Sequence, residues 1–107
     1  MEMRKPSIIS FVGHTYEVNF GNVVFQNTFE SETRLSYKPI RGGLGQTQTV
    51  DYQSVQIQPN AFFQFWQEED RTTVTRYVDF ENLLVYGNIT LPDHTFLTLK
   101  GTLKRIE

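Results

Sequence analysis

The segment that decides the fold is residues 61–80, which read AFFQFWQEEDRTTVTRYVDF. It contains two runs rich in aromatic and β-branched residues, Ala61–Glu68 and Thr72–Phe80, and these residue types favour strands over helices. The polar triplet Glu69-Asp70-Arg71 between the runs is typical of a tight turn. The segment therefore predicts a β-hairpin, in which side chains alternate between the two faces of each strand.

Similar runs fill the rest of the chain, because Gly, Pro, Asn and Asp residues recur at short intervals and indicate turns. The further predicted strands are Tyr16–Phe20, Val23–Phe29, Thr33–Lys38, Gln46–Ile57, Leu83–Thr90 and Thr95–Ile106. No long segment repeats its apolar residues at helical spacing, so the sequence predicts an all-β protein of eight strands.

Short links between sequential strands leave a β-sandwich or an up-and-down barrel as the main architectures. We favour an eight-stranded antiparallel up-and-down barrel, because closure removes the exposed edges and a sandwich would more often need longer crossovers. A barrel of this size has room inside for packed side chains or for one small ligand. The N-terminal segment Pro6–Phe11 is expected to plug one end, where it could form a helical turn.

The composition excludes several classes of protein. The 107 residues carry a formal net charge of −2 and no cysteine, which predicts one domain over residues 1–107 without disulfides or thiolate metal sites. No basic stripe indicates a nucleic-acid partner, and no apolar run is long enough to span a membrane. No signal peptide is evident, so we expect a cytoplasmic protein. His14 and His94 are isolated, and we predict neither a metal site nor a cofactor.

The orientation of the first hairpin strand decides what lies inside the barrel. Period two places Phe62, Gln64, Trp66 and Glu68 on one face, and Phe63 and Phe65 on the other. If the first face is inside, an amide and a carboxylate enter a cavity walled by an indole, where Glu68 is suited to general acid or base chemistry. In the other interpretation, Phe63 and Phe65 form the core and Glu68 opens a solvated turn. The residue types leave both interpretations open.

The second hairpin strand predicts an inward arginine. Burying its more apolar face carries Arg76 inward together with Val74, Val78 and Phe80, and an inward guanidinium needs an anion. Arg76 could lie near Gln64 or Glu68 across the hairpin, so the interior would hold either a Glu–Arg pair or an arginine that awaits an acidic ligand. Alternatively, the arginine extends over the rim of the barrel with its head in water.

Three tyrosines and a second arginine complete the set of candidate ligand-binding residues. Tyr16, Tyr37 and Tyr52 each fall on the apolar face of a predicted strand, so their hydroxyls either line the cavity or pack in the core. Arg41 begins a glycine-rich loop, Gly42 to Gly45, that is expected at the rim, where the arginine could clamp a ligand.

The order and spacing of five segments resemble those of calycin-type barrels, and of the MoaF-like domain group in particular. The segments are Gly13-His14-Thr15-Tyr16, Phe65-Trp66-Gln67-Glu68, Val74 to Phe80, and Leu91-Pro92-Asp93 with Leu99-Lys100-Gly101. This resemblance covers most of the chain and implies the barrel fold, but it implies no biochemical role.

A more distant similarity is to the phenolic acid decarboxylases, which are also calycin barrels. Their Trp-x-Glu strand end carries a proton-transferring glutamate, and Glu68 matches its position. Tyr16 matches one of their two tyrosines, whereas Gln46 and Thr47 stand where their arginine is expected. This departure argues against that decarboxylation, although Arg41 or Arg76 could substitute in space.

Together these features predict a binding module for a small aromatic or carboxylate-bearing molecule. The candidate site residues are Tyr16, Tyr37, Arg41, Tyr52, Phe62, Gln64 and Trp66, with Glu68 and Arg76 as candidate catalytic residues. The alternative is a cofactor-free lyase or isomerase in which Glu68 acts as general acid or base, and whether the protein is an enzyme stays open. A third possibility is a structural or interaction domain whose interior is packed shut. If Phe63 and Phe65 face outward, their exposed rings predict a homodimer.

Overall fold

The computed structural model of the protein describes residues 10–43 and 45–107. These residues form nine antiparallel strands. The strands are β1 (Thr15–Asn19), β2 (Val24–Phe29), β3 (Arg34–Arg41), β4 (Gln48–Asp51), β5 (Gln53–Gln58), β6 (Ala61–Gln67), β7 (Thr73–Asp79), β8 (Leu84–Thr90) and β9 (Phe96–Arg105). Seven of the eight predicted strands are present as single strands whose ends lie within three residues of the predicted ones. No helix that is long and apolar enough to cross a membrane occurs in the described part of the chain.

The strands form a nearly closed barrel of up-and-down topology, which confirms the predicted fold class. The sheet order is β4-β3-β2-β1-β9-β8-β7-β6-β5, so consecutive strands are neighbours and the first strand pairs with the last. We call the end with the β6–β7 and β8–β9 turns the mouth, and the opposite end the closed end.

The predicted strand Gln46–Ile57 is divided at Tyr52, which explains nine strands in place of eight. Its first part, β4, pairs with β3, and its second part, β5, pairs with β6. The bent strand thereby joins the two ends of the sheet. Among the described residues, a seam without backbone pairing is left at the mouth between β4 and the last residues of β6.

Aromatic rings fill the closed end of the barrel. Phe80 stacks on Phe11, with ring centroids 4.8 Å apart, and both rings contact Phe29 and Phe62. Phe11 precedes the first strand and is almost fully buried, so this one side chain helps to fill the closed end. Most of the predicted helical turn, Pro6–Phe11, lies outside the described residues.

The burial pattern of β6 resolves the orientation that the sequence left open. The side chain of Gln64 is fully buried, and Phe62 and Trp66 pack against the core. Phe63 is 38% exposed, and its ring contacts Phe65 on the outer surface with centroids 5.6 Å apart. The interpretation with Phe63 and Phe65 as core is therefore wrong. The cause lies in β7, because its buried side chains Val74 and Val78 are the direct cross-strand partners of Trp66 and Phe62.

Gly101 allows β1 and β9 to approach each other. A Cβ atom at this position would lie 2.1 Å from the carbonyl oxygen of Asn19, which no side chain tolerates without a backbone shift. We expect Gly101→Ala to lower the free energy of unfolding by about 1–3 kcal/mol, as measured by urea denaturation. Gly87→Ala is the matched control, because its Cβ would meet its nearest neighbour at an ordinary 3.5 Å. Equal stability of the two variants would contradict this account.

Candidate ligand-binding site

The mouth opens into a cavity of about 330 Å³ that we call the mouth cavity. A smaller space of about 50 Å³, the inner cavity, continues toward the middle of the barrel. The two cavities share four lining residues, which are Phe25, Tyr37, Glu68 and Ile89. The inner cavity alone exceeds the volume of one water molecule. Aromatic rings fill the interior of the closed half of the barrel, whereas the interior of the mouth half is open.

Arg76 lies at the wall of the inner cavity and is only 6% exposed. Its Nε and Nη2 both donate to Gln64 Oε1, over 3.1 and 2.9 Å, and its Nη1 donates to Asn27 Oδ1 over 2.5 Å. The bond to Gln64 follows from strand register, because the two residues are direct cross-strand partners. The guanidinium carbon lies 5.1 Å from the Trp66 ring centroid and 5.7 Å from that of Phe29.

The positive charge of Arg76 has no negative partner among the described residues. Its hydrogen-bond acceptors are neutral amides, and the ion pair within the described part of the chain joins Arg34 and Glu30 at the surface. Burial lowers the pKa of Arg76 to about 10, yet the group stays charged at neutral pH. A buried charge held only by dipoles is unusual, because full desolvation of an ion is costly.

Glu68 lies half-buried at the boundary between the two cavities. Its Oε2 accepts a hydrogen bond from Trp66 Nε1 over 3.2 Å, and its Oε1 accepts one from Gln48 Nε2 over 3.3 Å. The bond from Gln48 spans the seam between β4 and β6. These two donors hold the carboxylate in one orientation at the mouth.

The hydroxyl of Tyr37 is buried but has no hydrogen-bond partner among the described residues. Burial raises the pKa of Tyr37 far above its usual value of 10, and the Glu68 carboxylate adds to the effect, because it lies close to this hydroxyl although no hydrogen bond of normal geometry joins the two groups. The phenol therefore keeps its proton. Because Tyr37 lines both cavities, it offers an unused hydrogen-bond donor to a molecule in the pocket.

Comparison with known proteins agrees with the geometry of the barrel. The model of the MoaF-like family matches residues 12–104. The chain belongs to the MoaF-like family. A crystal structure from Burkholderia vietnamiensis, described as a "putative beta-lactamase", superposes with a TM-score of 0.86 at 25% sequence identity. The match covers 94% of this chain and 100% of that chain. No curated protein matches the chain.

In this MoaF-like barrel, several predicted site residues lie away from the pocket. Tyr16 and Phe62 pack into the aromatic closed end. Tyr52 is buried at the bend of the divided strand, where its hydroxyl donates to the carbonyl of Ser31. Arg41 is exposed and donates to the carbonyl of Gly21, so it does not line either cavity. A backbone carbonyl on another part of the chain accepts a hydrogen bond from each of these two side chains.

The predicted pair of Glu68 with Arg76 is not formed within the described part of the chain. Gln64 binds the guanidinium, whereas Glu68 forms no ion pair with it. Trp66 lines the inner cavity, and Tyr37 and Glu68 line both cavities. Gln64 lines neither cavity, but it accepts two hydrogen bonds from Arg76.

Sequence reasoning missed Asn27 and Gln48. Asn27 is a direct hydrogen-bond partner of Arg76, and its place on the apolar row of Phe25 and Phe29 was a usable signal. A lone amide on an apolar strand face indicates a buried polar partner. Gln48 gave no such signal, because it lies in a polar segment with no alternation.

Proposed function

We propose that this MoaF-like barrel binds a small aromatic or carboxylate-bearing molecule in its mouth. The observation that carries the proposal is a solvent-open cavity leading to Arg76, a buried cation with no counter-charge among the described residues. Two of its five N–H groups are free of the bonds described above, and an anion is the natural acceptor for them.

The shape and walls of the pocket support the same proposal. A volume of about 330 Å³ lies at the lower end of the range for ligand pockets, so the molecule is small. The rings of Phe25 and Trp66 offer flat apolar walls. The unused hydroxyl of Tyr37 and the fixed carboxylate of Glu68 supply one donor and one acceptor, which can orient the molecule.

Filling the inner cavity tests the location of the site. Gly87 lines that cavity, so the methyl groups of Gly87→Val enter it, while Asn88→Val adds the same side chain on the outer face of the strand. With benzoate as the probe, we expect calorimetry to show at least about tenfold weaker binding for Gly87→Val and unchanged binding for Asn88→Val. Both variants should keep the cooperative unfolding of the native protein. Unchanged benzoate affinity in Gly87→Val would reject this site.

A second candidate function is that of a cofactor-free lyase or isomerase. It is favoured by the arrangement of Glu68, which lies next to the protonated hydroxyl of Tyr37 with Arg76 below. Glu68 would transfer the proton, and Arg76 would orient the substrate. Glu68→Gln should abolish turnover if the protein is an enzyme but should keep measurable affinity if it only binds. The beta-lactamase description belongs to the Burkholderia protein, and neither candidate is derived from it.

We also propose that the barrel forms a homodimer through the outer face of β5 to β8. Val55, Phe63, Tyr77 and Tyr86 are successive cross-strand partners there, and three of them are exposed. The row ends at β5, whose outer edge pairs with no described strand and can pair with a second copy. The cytoplasmic location stays a prediction of the sequence.

Phe63→Lys tests the homodimer. We expect light scattering at micromolar concentration to report a dimer for the native protein and a monomer for this variant, because an added charge opposes burial of the row. Phe96→Lys is the control, since Phe96 is exposed at the start of β9, away from the row. A native monomer, or a dimer that survives Phe63→Lys, would refute the proposed interface.

A further inference from the structure

The mouth cavity carries charge of one sign at its rim. Three acidic side chains, Glu68, Asp70 and Asp93, are among the described residues that line it, and no described Lys, Arg or His does. Glu69 adds a fourth carboxylate in the neighbouring surface depression that Asp70 also lines. A one-signed rim raises the local concentration of cations at the entrance.

Local hydrogen bonds keep two of these carboxylates ionised and in place. The backbone N–H of Thr72 donates to Asp70 Oδ1 over 2.9 Å, and hydrogen bonds from Thr72 lower the pKa of Asp70. Thr95 does the same for Asp93, whose Oδ1 accepts the backbone N–H over 2.9 Å. Both turns would form without any ligand, so the acidic rim alone does not indicate a binding site.

Two observations below the rim do point to a ligand. The hydroxyl of Tyr37, which is 7% exposed, lines the same cavity without a hydrogen-bond partner among the described residues. The guanidinium of Arg76 is buried at the wall of the inner cavity, with neutral acceptors for only part of its N–H groups. The pocket is therefore negative at its entrance and positive at its depth.

A ligand with one charge matches only half of this arrangement. A ligand with only a carboxylate is attracted by Arg76, but it must pass the acidic side chains at the rim. Once bound, it offers those side chains no positive charge. A plain amine is attracted at the rim but leaves the buried cation without a counter-charge. A molecule that carries both signs at opposite ends satisfies both ends of the pocket at once.

We propose that the ligand of this pocket is a small zwitterion, whose carboxylate lies on Arg76 and whose ammonium group lies among Glu68, Asp70 and Asp93. This inference rests on the proposed function and adds the charge pattern and orientation of the ligand. The acid end enters first, and Tyr37 donates its unused hydrogen bond to the molecule as it passes between the cavities. The flat apolar section between the two charged groups packs on Phe25 and Trp66.

Four probes on one benzene frame test the charge pattern. They are 4-(aminomethyl)benzoate, 4-methylbenzoate, 4-methylbenzylamine and 4-methylbenzamide, and the dissociation constant of each is measured by calorimetry at low salt. We expect the zwitterion to bind at least about tenfold more tightly than either singly charged probe, and the neutral amide to bind most weakly. The advantage of the zwitterion should shrink when salt is added, because the rim is exposed.

Charge-removing variants assign each end of the zwitterion to its partner. Asp70→Asn with Asp93→Asn keeps a side-chain oxygen for both turns but removes two of the three carboxylates that line the cavity, so it should weaken binding of the zwitterion and leave binding of 4-methylbenzoate no weaker. Arg76→Met should reduce the zwitterion to the affinity of 4-methylbenzylamine. Asp51→Asn, a change at an exposed position away from both cavities, should leave the affinity of the zwitterion unchanged.

The outcomes separate this inference from the proposed function. If 4-methylbenzoate binds as tightly as the zwitterion and the rim variant changes nothing, the zwitterion inference is overturned while the binding site stands. Suppose instead that 4-methylbenzylamine and the zwitterion bind equally tightly and that Arg76→Met changes neither affinity. Arg76 then does not bind the carboxylate of the ligand. If none of the four probes binds the native protein, both the inference and the proposed function are rejected.

Discussion

Gln64→Leu is expected to lower the free energy of unfolding by about 3–5 kcal/mol, because it removes an acceptor from a buried charge. Gln64 Oε1 accepts two of the three described hydrogen bonds of the Arg76 guanidinium. Leucine has a similar volume, so packing is largely kept while the cation loses most of its support. For a domain whose whole stability is of the order of 5–15 kcal/mol, this loss is large.

Urea denaturation of a short series of variants measures this effect and locates its cause. Gln67→Leu makes the same substitution at an exposed position on the same strand and should change stability by less than about 0.5 kcal/mol. Gln64→Leu combined with Arg76→Met removes the charge together with its acceptor, so it should recover most of the lost stability. A Gln64→Leu variant as stable as the native protein would show that the guanidinium does not depend on this amide.

The strands of this barrel were predictable because local rules determine them. Turn residues separate the runs, and period-two alternation identifies the buried face of β1 and β7 from the sequence alone. The division at Tyr52 was not predictable, because it depends on a change of pairing partner from β3 to β6. Nothing local distinguishes Gln46–Ile57 from one continuous strand.

The face of β6 shows the limit of reasoning from one strand. Both faces carry two aromatic rings, so the composition of β6 does not choose between them. The choice is made by β7, whose register places Gln64 opposite Arg76 and Phe62 opposite Val78. Reading the two strands as one paired unit gives the observed orientation.

The partners of Arg76 show a related limit. Gln64 is only 12 residues away and was within reach of hairpin reasoning, but Asn27 is 49 residues away and meets the arginine only because the barrel closes. Polar contacts across the interior of a barrel depend on its curvature and stagger, which no local pattern records.

Phe80→Ala is the other change expected to have a very large effect, because this ring joins the aromatic cluster that fills the closed end. Its centroid lies 4.8 Å from that of Phe11, 5.1 Å from that of Tyr16 and 5.9 Å from those of Phe29 and Phe62. Truncation leaves a cavity that these rings cannot fill from inside a closed barrel. We expect a loss of about 3–5 kcal/mol in the free energy of unfolding.

Phe96→Ala is the matched control, because Phe96 is 62% exposed and should lose less than about 0.5 kcal/mol in the same denaturation experiment.

The aromatic cluster at the closed end is not expected to contribute to ligand binding. Phe80 lines neither the mouth cavity nor the inner cavity, so folded Phe80→Ala protein should bind benzoate as the native protein does. A Phe80→Ala variant that keeps its stability would mean that the closed end relaxes around the gap. A variant that stays folded but loses benzoate would mean that the aromatic end and the ligand site are one cooperative unit, contrary to the division between a packed closed end and an open mouth.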